Sequence, residues 1–247
     1  MLDILNQHRT IRKYTEQKID SELLTNLLET ACKASNTGNM QAYSIIVTTD
    51  NDLKKQLSPS HFNQPMIIQA PVVLTFCADF NRFTKWCELR QAKPGYDNFQ
   101  SFMATAIDAI IAAQTFCIAA ESEGLGICYL GTATYNAQEI IDVLKLPELV
   151  VPITTITLGY PADQPNQTDR LPLKAVVHRE TYTDFTPESI DEIYSEKETS
   201  EFYKQFVQEN NKTTLAQVFT DIRYSKKNNE FFSEKYLTVL KKQGFLK

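Results

Sequence analysis

The chain has 247 residues, with 25 lysines and arginines against 30 aspartates and glutamates, a formal net charge of −5. At 43% hydrophobic and 22% charged it reads as an ordinary globular protein with enough length to bury a sizeable core. No apolar run is expected to reach the ~20 residues that span a bilayer, Met1–Thr10 carries no charged-then-apolar leader, and the acidic balance argues against a chain-wide nucleic-acid surface.

The first informative segment is His8-Arg9-Thr10-Ile11-Arg12. Three basic or titratable side chains and a hydroxyl within five residues suit either an oxyanion or a solvated patch beside a helix start. In extended backbone Arg9 and Ile11 face one way, and His8, Thr10 and Arg12 the other. Ser21–Lys33 then carries Leu23, Leu24, Leu27, Leu28 and Ala31 on one helical stripe, with Asp20 or Ser21 as N-cap. Ser35-Asn36-Thr37-Gly38-Asn39-Met40-Gln41 is a polar run offering hydroxyls, amides and backbone N–H groups, or simply a loop.

Ser44–Thr49 and Pro71–Cys77 are β-branched runs that predict buried strands. Residues 83–100, with Trp86, Pro94, Gly95 and Tyr96, form either a flap or a plain surface excursion. Phe102–Glu121 predicts a long helix, apolar on nearly every face, which must be covered by a thick core or by a partner. Its interior charge, Asp108, needs a partner if buried. Gly124, Gly126 and Gly131 fall within eight positions of a chain holding only 7 glycines, at a spacing that fits neither a dinucleotide fingerprint nor a P-loop. Gly124–Gly131 leads into a third strand, Ala137–Leu146 is a helix stopped by Pro147, and Val150–Leu158 is a fourth strand.

Beyond residue 180 the texture changes: 12 of the 26 aromatics and one glycine, Gly244, lie amid dense charge. That pattern predicts amphipathic helices lying across the rest of the chain or a second copy. Two regions are expected, a core over residues 1–180 and a helical extension over 181–247. Helices and strands alternate without a clean βαβ repeat, which places the fold in the α+β class. The five cysteines (Cys32, Cys77, Cys87, Cys117 and Cys128) form no C-x-x-C pair, so reduced, mostly buried thiols and a cytoplasmic setting are expected. The scattered His8, His61 and His178 offer no zinc site.

Taken in order, H-R-T-I-R-K-Y from His8, A-S-N-T-G-N-M-Q-A-Y-S from Ala34, A-E-S-E-G-L-G-I-C-Y-L-G from Ala120, L-G-Y-P-A-D from Leu158 and R-L-P-L-K-A-V-V-H from Arg170 resemble the FMN-dependent nitroreductase family, in its oxygen-insensitive NADPH nitroreductase and flavin reductase branch. The resemblance runs from about residue 4 to 180. It implies an intertwined α+β homodimer, a mixed sheet flanked by helices, and FMN held where the subunits meet. It implies flavin contacts from His8, Arg9, Thr10 and Arg12, with Arg12 at the pyrimidine edge, and from Ser35, Asn36 and Thr37. Gln64 is expected at the ring edge, Tyr129, Leu130 and Gly131 beside the ring and its N5, and Arg170 at the phosphate. Thr168 stands where the family often has a second phosphate-binding lysine. The tail offers Lys204, Lys212 and Arg223 as counterparts of its NADPH-binding arginine, leaving NADPH or NADH open.

The chemistry implied is ping-pong transfer of two electrons from a nicotinamide to nitroaromatics, quinones or free flavin, with the flavin and no protein nucleophile carrying it. The alternative is a non-catalytic flavin or nucleotide-binding dimer; a purely structural dimer module is a third reading. No metal, nucleic acid or membrane partner is expected.

Overall fold

A computed structural model describes residues 2–246. Two compact units emerge: the chain up to Gln167 together with Ser233 onward, and Thr168–Phe232 between them. The first unit thus takes back the end of the chain after the second has been built, a return that a single boundary near residue 180 does not include.

Helix α1 (Leu2–Asn6) and helix α2 (Ser21–Ala31) precede strand β1 (Tyr43–Thr48). Then come α3 (Asn51–Leu57), α4 (Met66–Gln69), β2 (Val72–Asp79), α5 (Asn81–Leu89) and α6 (Phe99–Ser122). Strand β3 (Gly126–Leu130), α7 (Thr132–Tyr135), α8 (Ala137–Leu144) and β4 (Val150–Gly159) complete the main run of the first unit. The sheet order is β1-β2-β4-β3, antiparallel at every pairing. Among the described residues a parallel contact enters only where Thr10 bridges Ile127 on the outer edge of β3, which makes the sheet mixed there.

Alternation along the strands assigns the two faces. Leu74, Phe76, Ile127, Ile156 and Leu158 meet the alanines of α6, where Ala109, Ala112, Ala113 and Ala120 are fully buried. Small side chains on that helix face let its backbone approach the sheet closely. Val73, Cys128 and Leu130 turn the other way onto Leu57, Met66, Ile67, Ala133 and Ile140. Asp20 caps α2 by accepting from the amides of Glu22 and Leu23, as its placement before the apolar stripe predicts.

Helix α6 departs from the sequence reading in its length, and meets the expected need for cover on one side only. At 24 residues it has the length and composition to cross a membrane, yet half of its most apolar stretch is buried inside the protein, the behaviour of a core helix. It is also not covered all round: Phe99, Met103, Ile107, Ile110 and Ile111 form an exposed stripe. The all-apolar pattern therefore splits into an alanine side against the sheet and a bulky side left open within one chain.

The second unit contains α9 (Pro187–Thr199), α10 (Glu201–Glu209) and α11 (Leu215–Gln217), the last continuing into a widened turn over Val218–Arg223. Thr186 and Ser189 form a capping box that starts α9. Ile193, Leu215 and Val218 are buried, while Phe202, Phe219 and Tyr224 stay exposed, a thin core for so aromatic a segment. Helix α12 (Lys226–Lys242) leads back into the first unit, where Val239, Leu240 and Phe245 are buried.

Candidate functional site

The basic N-terminal segment lies along β3. Thr10 pairs with Ile127, and the Ile11 amide donates to the Ile127 carbonyl at 2.9 Å. Glycine makes this possible, because a β-carbon on Gly126 would sit 2.6 Å from the Ile11 side chain. Three residues on, the Tyr14 ring occupies the space above Gly159 in the same way, at 2.7 Å. Its hydroxyl donates to the Ile11 carbonyl at 2.7 Å and pairs with Thr157 Oγ1 at 2.7 Å. Burial drives the Tyr14 phenol well above its ordinary pKa, the Thr157 bond opposing it. Ile11 and Tyr14 thus anchor the segment against the edge of the sheet.

His8, Arg9 and Ile11 line a cleft of about 550 Å³ shared with Glu121, Gly124 and Gly126. His8 Nδ1 lies 2.6 Å from Glu121 Oε1. Arg9 donates through Nη1 to the Gln7 carbonyl at 3.1 Å, but its buried Nε has no hydrogen-bond partner. A buried cationic donor without an acceptor is costly and fits an anionic oxygen. Arg12 is exposed, with its guanidinium close enough to Cys128 to oppose the rise that burial imposes on that thiol.

Next to Cys128 the chain continues through Tyr129, Leu130 and Gly131. Leu130 is buried in the sheet, whereas Tyr129 and Gly131 are exposed. The Tyr129 hydroxyl donates to Gln114 Oε1 at 3.3 Å, and although the residue is more than a third exposed, the partial burial of its phenol, with Cys117 and Glu121 adding to it, raises its pKa. A β-carbon on Gly131 would meet nothing within 4 Å, so the backbone there borders open space. Gln64 is half-buried, and its amide donates to the His61 carbonyl at 3.2 Å. His61 in turn lies 2.8 Å, through Nδ1, from the hydroxyl of Thr132, the residue after Gly131. The N-terminal segment, the end of β3 and the Gln64 turn are therefore one contiguous assembly.

In the run Ser35, Asn36 and Thr37, the last attaches to a different element, the middle of α6. The Thr37 amide donates to both Asp108 oxygens at 2.9 and 3.1 Å, and its hydroxyl donates to Oδ1 at 3.0 Å. Asp108 is 2% exposed, so these bonds answer the need for a partner that its position in an apolar helix creates. Asn36 is spent locally, accepting from the Gln41 amide at 3.2 Å.

Arg170 belongs to the second unit. Its Nη1 donates to the Thr168 carbonyl at 3.0 Å, to the Thr168 hydroxyl at 2.6 Å and to the Asp169 carbonyl at 2.9 Å. Lys197 and the Tyr203 hydroxyl each hold the Asp169 carboxylate at 2.7 Å and keep it below the ordinary carboxylate range. Of the three tail cations, Lys204 pairs with Glu201 and Lys212 with Asp221, while Arg223 lies 5.0 Å above the Phe206 ring.

Sequence reasoning missed Glu121 and His61 at the site. Glu121 closes an apolar helix and His61 stands alone between a serine and a phenylalanine, so neither had a pattern around it. Residues 83–100 divide among α5, the first residues of α6 and a connection in which Tyr96 stacks on Phe80, ring centroids 4.4 Å apart. That stacking fixes the end of the excursion nearest α6.

A family profile described as the Nitroreductase family matches residues 5–160. The chain is 41% identical over 180 residues to the FMN reductase [NAD(P)H] of Bacillus subtilis, covering 72% of each chain. It is 34% identical over 181 residues to the oxygen-insensitive NADPH nitroreductase of Salmonella typhimurium, covering 73% of this chain and 74% of the other. A crystal structure from Bacteroides fragilis, described as an oxidoreductase, superposes with a TM-score of 0.98 at 57% identity, covering 99% of this chain and 100% of that one.

Proposed function

The chain belongs to the nitroreductase family, and on that premise we propose that its basic N-terminal segment, the end of β3 and the Gln64 turn together hold an FMN. The protein is an NAD(P)H-dependent flavin oxidoreductase acting on small-molecule substrates. The observation that carries the site assignment is Arg9 Nε, a buried donor with no acceptor, beside an exposed Arg12 at the foot of Tyr129–Gly131. An acidic chain that gathers cations on one edge of its sheet supplies what a buried phosphate or an anionic ring edge requires.

Bound FMN supplies two-electron chemistry, accepting hydride from NAD(P)H and passing electrons on to the acceptor in alternation. The chain's own residues bind and orient. His8, Arg9 and Thr10 present donors along the edge of β3; within the second unit Thr168 braces the Arg170 guanidinium, which the family resemblance assigns to the phosphate. Arg12 would supply a positive charge to the pyrimidine side of a bound flavin, a preorganised arrangement that needs no later reorganisation. Gln64 offers its carboxamide at the ring edge, and Gly131 allows backbone to approach without a side chain. Tyr129 and Leu130 complete the wall. Ser35, Asn36 and Thr37, a run fastened to α6 where Thr37 meets Asp108, offer their remaining polar groups.

The same reading makes the protein a homodimer. The stripe of Phe99, Met103, Ile107, Ile110 and Ile111 is a contiguous exposed apolar face of the sort that a second copy covers. A cytoplasmic setting accords with five free thiols. Anaerobic titration of purified protein with NADPH and NADH in turn tests the whole reading. Flavin absorbance that bleaches with either nucleotide supports it, and a colourless protein overturns it. The ratio of the two titrations reports which nucleotide Lys204, Lys212 and Arg223 favour.

A further inference from the structure

His61 ends a single tight helical turn, Ser58–His61, and the backbone then reverses through Phe62 and Asn63, both left-handed at φ 54° and 55°. The reversal delivers Gln64. It is pinned from two sides: the Asn63 amide donates to the Ser58 carbonyl at 2.9 Å and the Gln64 amide to the His61 carbonyl at 3.2 Å. Across from it, short helix α7 grips the same turn at both of its ends. At its start Thr132 Oγ1 meets His61 Nδ1 at 2.8 Å, and just past its end Asn136 Nδ2 donates to the Ser60 carbonyl at 2.8 Å. Lys235 holds the Asn136 carboxamide in place at 2.8 Å.

The imidazole is fully buried, and its Nε2 has no hydrogen-bond partner. A leucine would fill this space without burying an unmet polar atom. What imidazole supplies that leucine lacks is the Nδ1 bond to Thr132. Burial also pushes its pKa down to about 4, so the ring carries no charge near neutrality and adds no electrostatic perturbation of its own. The bond spans the two chain segments assigned to the flavin's ring, one ending in Gln64 and the other in Gly131.

We propose that His61 is a positioning residue that fixes the Gln64 carboxamide relative to the Tyr129–Gly131 backbone, and thereby sets the ring-edge hydrogen bonds that tune the bound flavin. This rests on the assignment of those residues to FMN given above. His61 touches no reacting atom; it acts through Gln64 and Thr132.

The experiment compares holoenzyme carrying His61→Leu, His61→Asn, Thr132→Val and Gln64→Ala, reading FMN dissociation by fluorescence and flavin midpoint potential by spectroelectrochemistry. Leucine keeps bulk and loses the bond; asparagine offers an amide near the Nδ1 position. Loss of one neutral hydrogen bond predicts FMN about fivefold to tenfold weaker in His61→Leu and Thr132→Val. Both are expected to show a displaced potential, with His61→Asn returning within about twofold of wild type. Wild-type affinity and potential in Thr132→Val, with Gln64→Ala impaired, overturn the brace and leave the flavin site standing. Wild-type values in Gln64→Ala overturn the site assignment itself, and the brace with it. If His61→Leu fails to fold, Thr132→Val removes the same bond without disturbing the buried ring and decides alone.

Discussion

Ile11 occupies the volume that a side chain on Gly126 would need, its Cβ only 2.6 Å from where that glycine's missing β-carbon would stand. The contact sets the height at which the basic segment rides on β3, and hence where His8, Arg9 and Arg12 are held. Gly126→Ala must push Ile11 off the strand edge or distort β3. Overpacking of this kind costs about 1–3 kcal/mol. Thermal unfolding should show a lowered Tm, and an Ile11→Ala second change should recover part of it. An unchanged Tm in the single variant would remove Gly126 as a steric requirement.

Arg12→Ala takes the charge from beside Cys128 and the foot of Tyr129. A charge-assisted hydrogen bond contributes about 1.5–3 kcal/mol, so FMN should bind roughly tenfold to a hundredfold more weakly. The flavin midpoint potential should fall, because the reduced, anionic form loses its counter-charge. Equilibrium dialysis and redox titration read the two effects separately, and neither changing would exclude Arg12 from the pocket.

The acid limb of stability should carry a signature of His61. Its folded-state pKa, about 4, lies below the ordinary 6.5 because burial disfavours the imidazolium. The unfolded chain therefore takes up the proton first as pH falls. Stability is full above pH 6.5 and declines through the window down to about 4, by about 1.4 kcal/mol per pH unit. Urea unfolding at stepped pH measures the slope, and His61→Asn should flatten that part of it. An identical slope in wild type and variant would assign the acid loss to other groups.

Ile107→Glu places a charge in the middle of the exposed stripe of α6. With that face covered by a second copy, burying an unpaired carboxylate should split the assembly into monomers at micromolar concentration. Light scattering decides it: a wild-type protein that is already monomeric, or a variant that stays dimeric, excludes α6 from the interface.

Regular periodicity was readable and isolated contacts were not. All four strands, and the helices at Ser21, Phe102 and Ala137, could be drawn from the sequence because each rests on a repeating apolar pattern. Helix α3 escaped notice because Asn51–Leu57 is polar apart from Leu53 and Leu57. Its Lys54 is buried nonetheless, donating to the Ala70 carbonyl at 2.8 Å. Lysine in a short polar run signals a surface, and only tertiary packing shows otherwise. At the site, the clustered cations and glycines stood out as local patterns. Thr37 stood out as part of a polar run, but its pairing with Asp108 did not: those bonds cross 71 positions of chain, a separation that no local spacing encodes.

Among the five thiols, Cys77, Cys87, Cys117 and Cys128 are buried, and burial pushes Cys117 up to about 12. Cys32 alone faces solvent, at the end of α2 and three residues before Ser35. A thiol-reactive dye should therefore mark the native chain at one address, without any cysteine having to be engineered in or out. That address gives optical spectroscopy a fixed vantage point beside the turn that Thr37 fastens to the central helix.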